Sequence, residues 1–307
     1  LALTATDFCG NMIVEKTKIP YVYENTEENL ELLGQILNEY IDNLPIQRDD
    51  ILNVCINIAE RVNPFEGTTY TCFSFTEGPL ADTISKMIKL PACIENDTRS
   101  MTYAEYVKGC CKGLKDVVFV NVCWGLGIGI IVNGELYYGK SGYSGEFGHN
   151  PAYNNNIICH CGKIGCVETE ASGRALKRKL TEAILAGKQS ILSDKVINRK
   201  EDLTLIDILE AIGKEDVLSL ATLQQVADEL GKQLAGVINV FNPEMLVIGG
   251  EMSVTGNYLT LPITMGIMRY SLNIMNEDSK IVTSELKDQA GVLGACLMAR
   301  NRLLFSS

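Results

Sequence analysis

Gly145-Glu146-Phe147-Gly148-His149 and Cys159-His160-Cys161-Gly162-Lys163-Ile164-Gly165-Cys166-Val167-Glu168 stand nine residues apart in the chain. Together they carry the ligand spacing His149-x9-Cys159-x-Cys161-x4-Cys166. Three thiolates and one imidazole form a closed tetrahedral set, and softness and geometry favour a structural Zn(2+). The intervening loop has few apolar residues, among them Tyr153, Ile157 and Ile158. It cannot fold on a core of its own, so a metal would supply what packing does not. A disulfide with one free thiol is the competing reading of the three cysteines. His160 competes for the fourth ligand position. It stands between two ligand cysteines, where it cannot easily turn inward with both neighbours, so His149 is the expected ligand.

The same segment places Glu146 three residues before His149, and Glu168 two residues after Cys166. Anchoring His149 and Cys166 on one ion brings these carboxylates together. The metal takes one imidazole nitrogen and leaves the other as an oriented donor. Two acceptors beside such a donor suit a polyol, although both could be solvated loop residues. Upstream, Glu95-Asn96-Asp97 ends a buried-type strand. Asn96 or Asp97 reads as a helix cap, or as a sugar ligand with Asp97 the general base for a hydroxyl. The glycines of Gly125-Leu126-Gly127-Ile128-Gly129 let backbone N–H groups approach an anion, and they equally suit a tight hairpin.

Strand and helix patterns alternate, so the class is α/β. Strands are expected at Leu1–Thr6, Met12–Lys18, Ile51–Ile58, Ala92–Ile94, Val117–Val122 and Met245–Ile248. Ile130–Val132 and Glu135–Tyr138 read as a hairpin around Asn133-Gly134, a type I′ signal. Helices are expected at Glu27–Asn43, Leu80–Leu90, Thr102–Gly113, Ser172–Leu185, Leu220–Phe241 and Ala290–Leu304. Glycines near Gly125 and at Gly249-Gly250 place ligand loops at strand ends.

The chain has 307 residues, 46% hydrophobic and 21% charged, and a formal net charge of −11. An acidic surface repels phosphate backbones, so this part of a protein is a poor nucleic-acid binder. No apolar stretch reaches the roughly 18 residues of a membrane span, and the first residues read as no signal peptide. A cytoplasmic protein is expected. An odd set of eleven cysteines does not resemble a secreted disulfide framework. Cys9, Cys55, Cys72, Cys93, Cys123 and Cys296 read as small buried hydrophobes, and Cys110-Cys111 as structural.

Taken jointly, the motifs resemble the ROK family (repressor, open reading frame, kinase). The resemblance lies in Gly145–His149 and Cys159–Glu168. Supporting matches are Glu95–Asp97, Gly125–Gly129, Asn242–Gly250 and Gly291–Ala295, so it spans essentially the whole chain. It implies an actin-like ATPase fold of two ribonuclease-H-like lobes with a central sugar cleft. A smaller lobe would cover residues 1–100, with a helix at about 290–307 packing back on it. A larger one would cover 101–289 and hold the zinc loop 145–168. Asn96, Asp97, Glu146, His149 and Glu168 would bind sugar hydroxyls. In a kinase Asp97 would be the catalytic base, with ATP and Mg(2+) at Gly125, Gly127, Gly129, Gly249 and Gly250.

Two departures from the kinase pattern point to a sugar-responsive transcriptional regulator. Family kinases open with a strand carrying Asp-x-Gly-Gly-Thr, and this sequence opens on what reads as the following strand. Where kinases carry Gly-Thr-Gly, it has Cys123-Trp124-Gly125-Leu126, with no hydroxyl for a phosphate. The regulator would reach operator DNA through an N-terminal helix-turn-helix domain and act as a homodimer or homotetramer. A sugar kinase acting on a hexose or N-acetylhexosamine is the alternative.

Overall fold

The computed structural model describes residues 1–305. In chain order the elements begin with strands β1 (Ala2–Thr6) and β2 (Met12–Lys18), helix α1 (Glu27–Asp42), and strands β3 (Val54–Ile58), β4 (Val62–Asn63) and β5 (Thr68–Thr69). Helix α2 (Leu80–Ile88), strand β6 (Ala92–Asn96) and helix α3 (Asp97–Lys108) follow, then strands β7 (Val117–Val122), β8 (Leu126–Val132) and β9 (Glu135–Leu136). Next come helices α4 (Gly173–Leu185), α5 (Ser193–Ile197), α6 (Leu205–Gly213) and α7 (Val217–Phe241), and strand β10 (Met245–Gly249). Helices α8 (Asn257–Tyr270) and α9 (Asn273–Asp278), strand β11 (Lys280–Thr283) and helix α10 (Ala290–Phe305) complete the order.

The chain forms two compact units. One comprises Leu1–Lys112, Leu136–Ser144 and the segment from Asp288 onward; the other comprises Gly113–Glu135 and Gly145–Lys287. In the first unit β1 and β2 form the expected antiparallel hairpin, and β3 and β6 pair in parallel. Helices α1 and α2 bury Leu30, Leu33, Leu37, Ile84 and Ile88 in a core with Ile94. Helix α10 packs on α3, β3 and β1. That packing keeps α3 in the first unit, which therefore runs to Lys112 rather than stopping at residue 100. Ser306 and Ser307, part of the expected C-terminal segment, lie outside the described residues.

The second unit holds a five-stranded sheet in the order β11-β10-β7-β8-β9. Every residue of β7 is buried, as a strand needs when it lies inside a covered sheet. It pairs in parallel with β10 and antiparallel with β8. Helices α4, α6, α7 and α8 supply a continuous apolar core that includes Leu176, Leu180, Ile208, Leu230, Leu234 and Ile263. Asn133 and Gly134 both have positive φ, +53° and +84°, which is the I′ geometry expected of the β8–β9 turn.

Several boundaries differ from the sequence reading. Helix α3 starts at Asp97 rather than Thr102, because Asn96 Oδ1 accepts the Arg99 N–H at 3.0 Å and caps the first turn. The first hairpin strand after β7 starts at Leu126 rather than Ile130, so Gly127 and Gly129 are strand residues paired with Asn121 and Phe119. Cys9 is exposed, not buried.

Helix α6 opens with a reciprocal cap between Thr204 and Asp207, and Lys195 Nζ reaches both Asp207 carboxylate oxygens at 2.7 Å. Burial raises the Asp207 pKa, but the bonds from Lys195 and Thr204 outweigh it and draw it down to about 2. A depressed carboxylate stabilises the fold above its unfolded pKa and loses that contribution as pH falls towards 2. Lys195→Met removes only the lysine's share of that shift, so it should cost about 1 kcal/mol above pH 5 and much less near pH 2. Urea unfolding across that range measures it; a loss independent of pH contradicts the assignment.

Candidate functional site

The loop from Gly145 to Glu168 is seated on β8 by its glycines. Gly145, at φ +91°, lies against the Ile128 carbonyl, and Gly148 lies against the Leu126 carbonyl. A side chain at either would collide with backbone. Further on, two isolated bridges, Ile158 with Ile164 and Pro151 with Cys166, fold the segment back on itself. Ile158 and Ile164 are 73% and 55% exposed, so the tip of this fold has no apolar core.

Four donor atoms meet at its base. The ligand atoms of His149, Cys159, Cys161 and Cys166 all lie within 4.8 Å of one another. Cys161 Sγ and Cys166 Sγ are 3.7 Å apart, and Cys159 Sγ is 3.6 Å from His149 Nδ1. Metal–sulfur bonds of about 2.3 Å and metal–nitrogen bonds of about 2.0 Å place tetrahedral ligands about 3.8 Å (S···S) and 3.5 Å (S···N) apart. The four side chains thus fit a tetrahedral zinc. The sulfur separation is far from the roughly 2.05 Å of a disulfide, and none of the three cysteines is disulfide-bonded.

With Nδ1 facing the thiols, His149 turns Nε2 towards Glu146 Oε2, at 3.6 Å. His160 stands beside the same cluster, its Nδ1 3.6 Å from Cys159 Sγ and 2.8 Å from Glu168 Oε1. The second carboxylate, Glu168, is 4% exposed. Its Oε1 also meets Arg174 Nη1 at 3.0 Å, and its Oε2 accepts the Leu126 N–H at 3.1 Å. Burial opposes ionisation of Glu168, but His160, Leu126 and Arg174 together hold its pKa below the ordinary carboxylate value. His160 and Arg174 are braces that sequence spacing did not reveal. Arg174 comes from a helix whose contact with the loop only the fold creates.

The glycine run lies alongside. The turn from β7 to β8 is Cys123-Trp124-Gly125, closed by Cys123 N–H to Gly125 O at 3.1 Å. The carbonyls of Cys123 and Trp124 accept the N–H groups of Gly173 and Arg174, at 2.8 and 3.1 Å, in the first turn of α4. Arg174 and Lys177 lie 6.0 and 5.7 Å from the centre of the Trp124 ring. Gly249 and Gly250, at the end of β10, pack against Phe119 and against Asn121 and Val122 of β7.

In the first unit, the Asn96 side chain is both cap and tie, since its Nδ2 donates to Glu60 O at 3.0 Å. Asp97 Oδ1 accepts the Thr98 N–H at 2.7 Å. Beneath them is a buried ion pair missed from sequence. Arg99 and Glu95 are 2% and 1% exposed, with Arg99 Nε 2.7 Å from Glu95 Oε1. Arg99 Nη2 also donates to Val62 O at 3.0 Å, and Nη1 to Gly142 O. The pair's i, i+4 spacing is visible in the sequence; its burial is not.

A Cys3His donor set on a Gly-Glu-Phe-Gly-His loop agrees with what comparison of the sequence finds. The ROK family's sequence model matches residues 2–302. The chain belongs to the ROK family. It is 28% identical over 303 residues to the xylose repressor of Caldicellulosiruptor bescii, covering 97% of this chain and 75% of that one. Among solved structures it resembles a ROK family transcriptional regulator, a homolog of the Escherichia coli MLC protein. That likeness has a TM-score of 0.81 and 30% identity, over 97% of this chain and 74% of that one. It equally resembles a ROK family glucokinase from Streptomyces griseus solved with glucose and AMPPNP. There the TM-score is 0.81 and the identity 25%, over 97% and 95% of the two chains. The fold is accordingly the actin-like ATPase fold shared by ROK regulators and sugar kinases.

Removing Arg99 strips the buried Glu95 carboxylate of its nearest cation and leaves it, among the described residues, only Arg302, whose Nη2 is 3.7 Å from Oε2. Arg99→Met should cost about 3–5 kcal/mol of stability, and the double change Arg99→Met with Glu95→Leu should recover part of it. Chemical denaturation of the three proteins decides this. A single-variant loss below about 1 kcal/mol would remove the pair as the support beneath Asn96 and Asp97.

Proposed function

We propose that this chain is the sugar-binding effector part of a ROK transcriptional regulator, with a structural zinc on His149, Cys159, Cys161 and Cys166. Asn96, Asp97, Glu146, His149 and Glu168 take the sugar hydroxyls. Zinc on Nδ1 would fix the His149 ring and leave Nε2, beside Glu146, to a hydroxyl. Glu168, charged and braced, orders the turn that ends at Leu126.

The observation that carries the regulator reading is the state of the Cys123–Leu126 turn. In a phosphate-binding loop, backbone N–H groups converge on the anion. Here the Leu126 N–H already meets the Glu168 carboxylate, and the Cys123 N–H closes the turn. The first N–H groups of α4 are taken by turn carbonyls, so that helix end offers a phosphate little. Trp124 and Leu126 add no hydroxyl. The acidic charge of −11 suits a body that leaves operator DNA to another domain. A sugar preferred by one conformation would shift the population of DNA-binding states.

The likeness to the Streptomyces griseus glucokinase supports a second reading, a sugar kinase with Asp97 as base and ATP with Mg(2+) as phosphoryl donor. Gly125, Gly127, Gly129, Gly249 and Gly250 would then approach the nucleotide.

Elemental analysis should find close to one zinc per chain, and Cys161→Ser should lose it. Calorimetry against a panel of hexoses, pentoses and N-acetylhexosamines should give a binding isotherm that chelation abolishes. A coupled assay of the full-length protein with the same sugars and ATP should show no turnover. Phosphorylation of any of them reverses the ranking of the two readings, and metal-free protein that still binds sugar refutes the role given to zinc.

A further inference from the structure

Cys110 and Cys111 follow the end of α3 in the first unit, and a single residue fixes them both. Glu105, in the last turn of that helix, is fully buried. Its Oε2 accepts the Cys110 N–H at 3.1 Å, and its carbonyl accepts the N–H groups of Gly109 and Cys111, each at 3.1 Å. Gly109 leaves room for this, since a β-carbon there would collide with the Glu105 carboxylate. The backbone of the pair is therefore set in advance of any ligand. The two thiols lie together, with Cys110 Sγ 3.8 Å from Cys111 Sγ. That is the span of two thiolates on one ion, and it matches the 3.7 Å between Cys161 and Cys166 in the candidate metal cluster. Cys110 Sγ also donates to Glu105 Oε2 at 3.3 Å. Cys110 is half-buried, Cys111 is buried, and neither is disulfide-bonded.

We propose that Cys110 and Cys111 form a binding site for a trivalent arsenical, chelated by both thiols. The donor count selects this class of ligand. Among the described residues, three His, Cys or carboxylate donors close enough for one ion occur only around His149. The Cys110–Cys111 pair thus offers two sulfurs and no third such ligand, which would leave a tetrahedral cation half-coordinated. Trivalent arsenic is pyramidal. It takes two sulfurs, keeps one substituent of its own, and is soft enough to prefer thiolate to oxygen. Formation of the chelate needs no oxidant. Each thiol makes an As–S bond as an As–OH bond breaks, the thiol proton leaves with the hydroxide as water, and arsenic stays trivalent. Glu105 Oε2, already on the Cys110 S–H, is placed to carry that proton. The hydrogen bond with Cys110, together with burial, holds the Cys111 thiol above its ordinary pKa. The pair therefore keeps its protons and resists oxidation until a ligand brings its own hydroxide. Chelation orders little that Glu105 has not ordered already, which favours binding. None of this rests on the sugar or zinc readings.

Phenylarsine oxide, added to the full chain at one equivalent and followed by mass spectrometry, tests the proposal. Trypsin cuts after Lys108 and Lys112, so the pair leaves in the peptide Gly109–Lys112. That peptide should carry one phenylarsenic group, with both of its thiols closed to alkylation. Dimercaprol should strip the group and mercaptoethanol should not, as expected of a dithiol chelate. Cys110→Ser and Cys111→Ser should each weaken binding at this peptide about a hundredfold, because a chelate becomes a single bond. Cys110 is half-buried, so Cys110→Ser should keep the far-ultraviolet circular dichroism of the wild type. It decides the matter even if Cys111→Ser does not fold. Cys55→Ser, in β3, is the control and should leave the affinity at the peptide unchanged. A peptide Gly109–Lys112 that remains free of arsenic overturns the proposal. So does a group that mercaptoethanol removes, or one whose affinity is indifferent to Cys110→Ser.

Discussion

Three thiols and an imidazole gathered within 4.8 Å are the constraint on which the rest of the site depends. The segment between them has no core of its own, and its tip leaves Ile158 and Ile164 in solvent. Without a metal, burial holds the Cys159 and Cys166 thiols above their ordinary pKa, which favours neutral sulfur. A divalent cation reverses that preference, since it binds thiolates. On the proposed reading, one ion both closes the loop and sets the orientation of His149, so stability and recognition share a single cause.

The carboxylate at Glu168 is the second organising group. It is nearly buried, yet it is kept charged because three donors from separate places reach it: Leu126 on β8, His160 in the loop and Arg174 on α4. Each donor is thereby fixed relative to the others. The same arrangement leaves the β7–β8 turn tied to protein groups. A single carboxylate thus links the Cys3His loop, the central sheet and α4. Its availability to a ligand is a matter of displacing or supplementing these partners, whereas the Glu146 side chain, beside His149, is one third exposed.

Legibility in the sequence followed the reach of the interactions. The His149–Cys166 spacing and the Glu95–Asp97 triplet are local chemistry, and they were readable residue by residue. So were β7 and α7, whose apolar patterns are long and regular. The expected start of α3 was late, because Asn96 acts as a cap through its geometry while its polar neighbours read equally as ligands. Helix α8 gave no 3.6-residue signal at all: it is apolar on both faces and carries Pro262, so nothing alternates. Arg174 and His160 became visible only once α4 had been placed against the loop. Burial of the Glu95–Arg99 pair likewise depends on Val62 and Gly142, distant in sequence.

The same distinction bears on how a bound sugar could be felt elsewhere. Tyr153, in the loop, donates from its hydroxyl to Glu229 Oε2 at 2.9 Å and receives Gln233 Nε2 at 3.3 Å. Both partners belong to α7. Burial and the neighbouring carboxylate raise the Tyr153 pKa well above its ordinary value, so this hydroxyl remains a donor throughout the physiological range. Helix α7 in turn meets α8 at Gly231 and Gly266, where there is no side chain to absorb a shift. A change in the loop that shifts Glu229 or Gln233 would be passed to α8 through this close contact. Ordering of the loop and the placing of α8 would thus be coupled through Tyr153 and that glycine crossing. Such coupling requires the ligand to prefer one arrangement over the other, and the loop is where that preference would be set.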